Sequence, residues 1–164
     1  MKICVISDTH DNLYAVDGFA EKVRGKVELI LHAGDIVAPF VVKSLKKANC
    51  KVIAVYGNND GDKLLLKKKF EESGFEIHPP PHIFEIGGKK VLLMHFPDFV
   101  EEIAHSGEFD LIIYGHTHKV DVRKIGNTLI LNPGELGGWL SGKNTYCLLD
   151  ISTMSYKIEE IRRG

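Results

Sequence analysis

Met1-Lys2-Ile3-Cys4-Val5-Ile6-Ser7-Asp8-Thr9-His10 opens the chain and decides how the rest is read. Residues 3–7 form a short, continuous apolar run, as expected for a strand covered on both faces. It passes directly into Asp8-Thr9-His10, so polar chemistry begins where the strand stops. Residues 13–23 carry a helical pattern, with Asn12 placed to cap it. The alternation continues. A strand over 28–32 leads to Gly34-Asp35 and a helix opened by Pro39 and running to about 48. A third strand over 51–56 leads to Gly57-Asn58-Asn59-Asp60 and a helix capped by Asp62, ending near 73.

The second half is richer in strands. Residues 83–86 and 90–94 flank Gly87-Gly88, and 120–125 and 128–131 flank Gly126-Asn127, both hairpin patterns. A short helix is expected over 98–106, a strand over 110–114, and a final pair over 145–151 and 155–161. The 164 residues suit one domain, 1–164, with no repeat or linker. Strand–helix alternation followed by hairpins predicts an α/β fold of mixed sheets between helices.

Polar clusters sit just past five strands: Asp8-Thr9-His10, Gly34-Asp35, Gly57-Asn58-Asn59-Asp60, His95, and Gly115-His116-Thr117-His118. That edge is where open α/β sheets place ligands. Each cluster offers carboxylate, amide or imidazole donors, which suit divalent cations, and none offers a thiolate. In extended backbone, residues two apart point the same way, so Asp8 with His10, and His116 with His118, are expected to converge in pairs. Glycines beside the ligands allow sharp turns and close approach. His32, Asp11 and Asp60 read as supports rather than ligands. Glu135, Leu136-Gly137-Gly138 and Trp139 are expected in a loop near the site, while His78, His82 and His105 follow no motif.

The ordered series DxH, GD, GNxD, H, GHxH resembles the calcineurin-like metallophosphoesterase superfamily, and the small size and GNND variant resemble the YfcE-type small phosphodiesterases within it. The resemblance runs from Met1 to about Ile151 and includes Asn132-Pro133-Gly134. It implies a four-layer α/β/β/α sandwich of two mixed sheets flanked by helices. It also implies two divalent metal ions, the first held by Asp8, His10, Asp35 and His118, the second by Asp35, Asn58, His95 and His116, with Asp35 bridging. The implied reaction is hydrolysis of a phosphodiester by direct attack of a metal-bound hydroxide. Asp35, Asn58, Asn59, His95 and His116 would carry it. Manganese is the first expectation, with nickel, cobalt, iron and zinc compatible with the same donors.

The chain departs from the superfamily at three places. Asn59 stands where many members have a histidine, and an amide is no general acid near pH 7. The arginines are Arg24, Arg123, Arg162 and Arg163, none beside a motif, whereas a phosphomonoester dianion is usually clamped by arginine. Phe96-Pro97-Asp98 follows His95. The first two favour a small phosphodiester over a monoester; Phe96 reads as a packing residue before a wall for a substrate group.

Composition narrows the alternatives. A net charge of −1 disfavours bulk capture of nucleic acid, and hence a nuclease, with Lys67-Lys68-Lys69 read as solvated helix. No apolar run spans a bilayer, no cleavage-site signature opens the chain, and a cytoplasmic location is expected. Cys4, Cys50 and Cys147 read as buried small hydrophobes. A homodimer through apolar edge strands near the C-terminus is compatible. A non-catalytic scaffold of the same fold is the rival from another class; the intact ligand positions oppose it.

Overall fold

The computed structural model describes residues 1–161. The first half forms β1 (Lys2–Ile6), α1 (Leu13–Val23), β2 (Leu29–His32), α2 (Phe40–Leu45), a 3₁₀ turn (Lys46–Ala48), β3 (Lys51–Val55), α3 (Lys63–Glu72) and β4 (Glu76–His78). The second half forms β5 (His82–Ile86), β6 (Lys89–Leu93), α4 (Val100–His105), β7 (Leu111–Ile113), β8 (Val120–Ile125), β9 (Thr128–Pro133), β10 (Asn144–Asp150) and β11 (Ser155–Ile161). The caps work as expected: Asn12 Oδ1 accepts from Ala15 N at 3.1 Å, and Asp62 Oδ1 from Leu65 N at 3.0 Å.

Six strands make one sheet in the order β11-β10-β1-β2-β3-β4, and five make the other in the order β5-β6-β7-β9-β8. β1 to β4 run parallel, with β10 and β11 antiparallel additions; β6, β7 and β9 run parallel, with β5 and β8 antiparallel at the edges. Alternation along β1 fixes the layering. Cys4 and Ile6 pack with Val16 and Phe19 of α1, Val41 of α2 and Phe70 of α3. Ile3 and Val5 face the other sheet and pack with Val91, Leu93, Leu111 and Ile113. On that sheet's outer side, Leu92 and Ile112 pack under Val100 and Ala104 of α4. The result is the four-layer α/β/β/α sandwich. Fully buried side chains such as Phe19 contribute about 1.5–3 kcal/mol each.

Three local expectations need correction. β4 is an unpredicted edge strand of three residues, too short to show alternation, pairing in parallel with β3. The helix expected over 98–106 starts only at Val100, because Phe99 takes a left-handed φ of 57° that no helix can include. The C-terminal edge strand β11 is not apolar: Lys157, Glu159 and Glu160 lie along it, and charge on an edge opposes pairing. Cys4 and Cys147 are buried and Cys50 partly so, as expected. No helix among the described residues is long and apolar enough to cross a membrane.

Candidate metal centre

The loops after β1, β2, β3, β6 and β7 meet at one end of the sandwich. Asp8, fully buried, accepts from Ser7 Oγ at 2.5 Å and His116 N at 3.0 Å through Oδ2. Among the described residues its Oδ1 has no hydrogen-bond partner, nor has His10 Nε2, 3.6 Å away. His118 Nε2 faces the same Oδ1 at 3.4 Å, and His10 Nε2 lies 3.3 Å from Asp35 Oδ2. The His10 and His118 rings stack at 5.0 Å. Asp8, His10 and His118 thus bring one oxygen and two nitrogens within 4.8 Å of one another.

A second cluster adjoins the first. Asn58 Oδ1 lies 2.8 Å from His95 Nε2 and 3.0 Å from His116 Nδ1, and His95 Nε2 lies 3.5 Å from Asp35 Oδ1. His95 Nδ1 donates to the Ala33 carbonyl at 2.7 Å, so the neutral ring aims a bare Nε2 at the Asn58 oxygen. Two lone pairs at that distance repel unless a proton or a cation lies between them. The electrostatics say the same. The Asp8 carboxylate raises the pKa of His10 against the effect of burial. Burial would lower His95, but the Asp35 carboxylate and the Ala33 carbonyl outweigh it and raise the pKa. Burial would raise Asp35, but bonds from His95 and from both the backbone and side chain of Asn59 hold it well below the usual carboxylate range. An ionised Asp35 beside His10 and His95, both drawn toward a positive charge, is a donor set that a divalent cation fits.

The convergence does not come from strand alternation. Asp8, His10, Asp35, His116 and His118 have left-handed φ values between 40° and 65°. Each is a non-glycine residue in a region costing about 1–3 kcal/mol, and such strain concentrates at functional sites. Asp8 and His10 do converge, as expected, but through tight turns. His116 and His118 do not: His116 faces Asn58 and His118 faces Asp8. The two-residue spacing misleads there because neither residue is extended. Glycine is required beside them. A Cβ on Gly57 would collide with the Asp35 carboxylate, and one on Gly115 with Ser7 Oγ and the Asp8 carboxylate.

Buried groups behind the cluster hold its loops. Asp60 Oδ2 accepts from Gly57 N at 2.6 Å and Asp35 N at 3.1 Å, and Oδ1 from Val37 N at 2.6 Å, clamping two loops together. Asp11 Oδ1 accepts from Ala38 N at 2.8 Å. His32 Nδ1 accepts from Gly34 N, and Nε2 bonds Thr9 Oγ1; burial pushes its pKa down to about 3 and keeps it neutral. Asn132 Nδ2 donates to the Gly115 carbonyl and to Thr117 Oγ1.

Glu135 is the member that sequence reading only placed nearby. Fully buried, it accepts from His118 Nδ1 at 2.7 Å through Oε2, which leaves Nε2 of that ring free for the site. Its two oxygens also take the backbone N–H groups of Trp139, Leu140 and Ser141, and Trp139 Nε1 donates to the His10 carbonyl. Burial would raise this carboxyl; the Ser141 and His118 bonds outweigh it and lower its pKa. A carboxylate following Pro133-Gly134 was the signal available.

Of the expected catalytic residues, Asn59 turns inward: its N and Nδ2 both donate to Asp35 at 2.8 Å. Phe96 is partly exposed, its ring 4.5 Å from that of His116. Arg123 pairs with Asp121 and Glu101, away from the cluster. Arg162 and Arg163 lie outside the described residues. His78 stacks on His82, their ring centroids 3.7 Å apart.

The model of the calcineurin-like phosphoesterase superfamily domain matches residues 1–154. A phosphodiesterase of Methanocaldococcus jannaschii is 36% identical over 161 residues, covering 96% of this chain and 97% of the relative. A solved archaeal phosphodiesterase superposes with a TM-score of 0.92 at 34% identity, covering 98% of this chain and all of that one. The zinc complex of vacuolar protein sorting 29 from Entamoeba histolytica, 21% identical, gives 0.71 with 98% of each chain covered, a likeness of fold alone. With the strand-end cluster and the family model in agreement over nearly the whole chain, this protein belongs to the calcineurin-like phosphoesterase superfamily.

Proposed function

We propose that the chain is a metal-dependent phosphodiesterase with a dinuclear centre. The observation that carries this is the convergence of Asp8 Oδ1 and Asn58 Oδ1 on imidazole nitrogens across 2.8–3.6 Å. Asp8, His10, Asp35 and His118 would hold one ion and Asp35, Asn58, His95 and His116 the other. Bound there, divalent ions supply Lewis acidity and acidify a water, giving a nucleophile near neutral pH. Manganese remains the first choice, with nickel, cobalt, iron or zinc as substitutes.

The residues favour a diester. With Glu135 counted, three carboxylates offset two divalent ions to leave about one positive charge before a hydroxide binds, and Arg123 is paired elsewhere, so little charge is left to clamp a monoester dianion. In hydrolysis the water oxygen bonds to phosphorus, the bond to one ester oxygen breaks, and the water's proton ends on the departing alcohol. Asn59 has no proton to give and is held by Asp35, so acidic alcohols leave best.

The test is to strip the metal and assay a nitrophenyl diester and the matching monoester, with and without Mn²⁺, Ni²⁺, Co²⁺ or Zn²⁺. Diester cleavage should depend on metal, exceed monoester cleavage, and fall about 10³-fold in Asp35→Asn. Equal or faster monoester cleavage would refute the charge argument, and no turnover with bound metal would refute the enzyme.

A further inference from the structure

α4 is only six residues long and covers part of its sheet. Beside it, along the exposed edge strand β5, lies a cavity of about 470 Å³, within the range of small-molecule sites. Pro81, Ile83, Leu92, Met94, Phe96 and Ile103 line it. Ile83 and Leu92 are cross-strand partners on the sheet's outer face. The cavity also reaches His95, whose Nε2 faces Asn58, so one residue belongs to both cavity and cluster. Phe96 is the shared wall: it lines the cavity and its ring lies 4.5 Å from His116 and 5.2 Å from His95. Among the described residues, Asp98 is the one acidic or basic lining residue, and the nearby Lys90 Nζ, 5.1 Å from the ring of Phe109 in the wall, is paired with Glu108.

Resting on the phosphodiesterase reading, we infer that this cavity is a subsite for one ester arm of the substrate, and that the arm it takes is neutral and apolar, best aromatic. A flat ring meets Phe96 and the aliphatic walls, which a methyl group leaves unfilled. An anionic arm meets Asp98. The chain would therefore select diesters by the arm that stays on phosphorus as well as by the one that leaves.

Phenyl 4-nitrophenyl phosphate and methyl 4-nitrophenyl phosphate share a charge and a leaving group and differ only in this arm. The metal-loaded protein should prefer the phenyl diester in kcat/KM, and Ile83→Glu, on an exposed edge position, should cut that preference roughly tenfold. Leu64→Glu, on the exposed face of α3, is the charge-matched control and should not move the ratio. A second reading needs no turnover. With methyl-labelled methionine, diphenylphosphinate, whose P–C bonds resist hydrolysis, should shift the Met94 resonance, and dimethylphosphinate should not. Met1 and Met154, at the other end of the strands, should stay still with both. Turnover of both diesters with an unchanged ratio in Ile83→Glu and a still Met94 would overturn the subsite and leave the phosphodiesterase standing. A change of oligomeric size in Ile83→Glu with the ratio unmoved would overturn it in favour of a second copy on this face. Failure of both diesters with every metal would instead remove the reading on which the subsite rests.

Discussion

The two ends of the sandwich solve the same problem, turning the chain, in opposite ways. The hairpins β5–β6 and β8–β9 and the turn after β10 lie at one end. Glycine takes the positive φ at Gly87, Gly88 and Gly126 of the two hairpins, while Met154 takes it in the turn after β10. The loops after β1, β2 and β7 lie at the other end. There Asp8, His10, Asp35, His116 and His118 take the positive φ, although glycine would do so without strain. A side chain with chemistry is kept at each strained turn, and buried polar groups hold the turns in place. The difference teaches where selection has acted on more than folding.

The largest effect should come from removing such a hold. Asp60→Ala leaves the N–H groups of Asp35, Val37 and Gly57 without their acceptor. At about 1–3 kcal/mol per unsatisfied buried group, stability should fall by roughly 3 kcal/mol or more in urea unfolding. A loss no greater than that of a hairpin substitution would erase the contrast between the ends.

Next comes Glu135→Gln, which keeps the shape and removes the charge behind His118. Titration calorimetry should show divalent metal bound about 10–100-fold more weakly, with the fold retained by circular dichroism. Unchanged affinity would make Glu135 a loop brace only.

The pH dependence is subtler. The pKa values of His10 and His95 are raised above their ordinary 6.5 in the metal-free protein. Metal binds the neutral rings, so protons compete up to and beyond that pH. Affinity should climb as pH rises through this range, by about a decade per pH unit for each proton displaced, and level off above the raised values. A flat profile between pH 6 and 8 would mean that these rings are not ligands.

The smallest effect belongs to the other end. Gly88→Ala has open space for its Cβ and φ of +73°, so it should cost only about 1–2 kcal/mol and leave diester turnover unchanged.

Much of this was legible in the chain. The caps Asn12 and Asp62, the apolar run of β1 and the hairpin glycines are local signals, and each element they mark exists. The donor types at strand ends were equally plain, because the apolar runs of β1, β3 and β7 give way to Asp, Asn and His. The tertiary structure alone decided the rest. That Glu135 stands behind His118, that His116 and His118 part company, and that Asn59 grips Asp35 depend on turns whose φ the residue type does not dictate. They also join segments 17 to 110 residues apart. The apolar cavity beside Phe96 follows from how little of its sheet α4 covers. Sequence fixes which side chains are available and the period on which they are buried, since both are properties of neighbours along the chain. Which atoms face each other is set by loop closure and packing, the sum of many weak contacts that no single stretch contains.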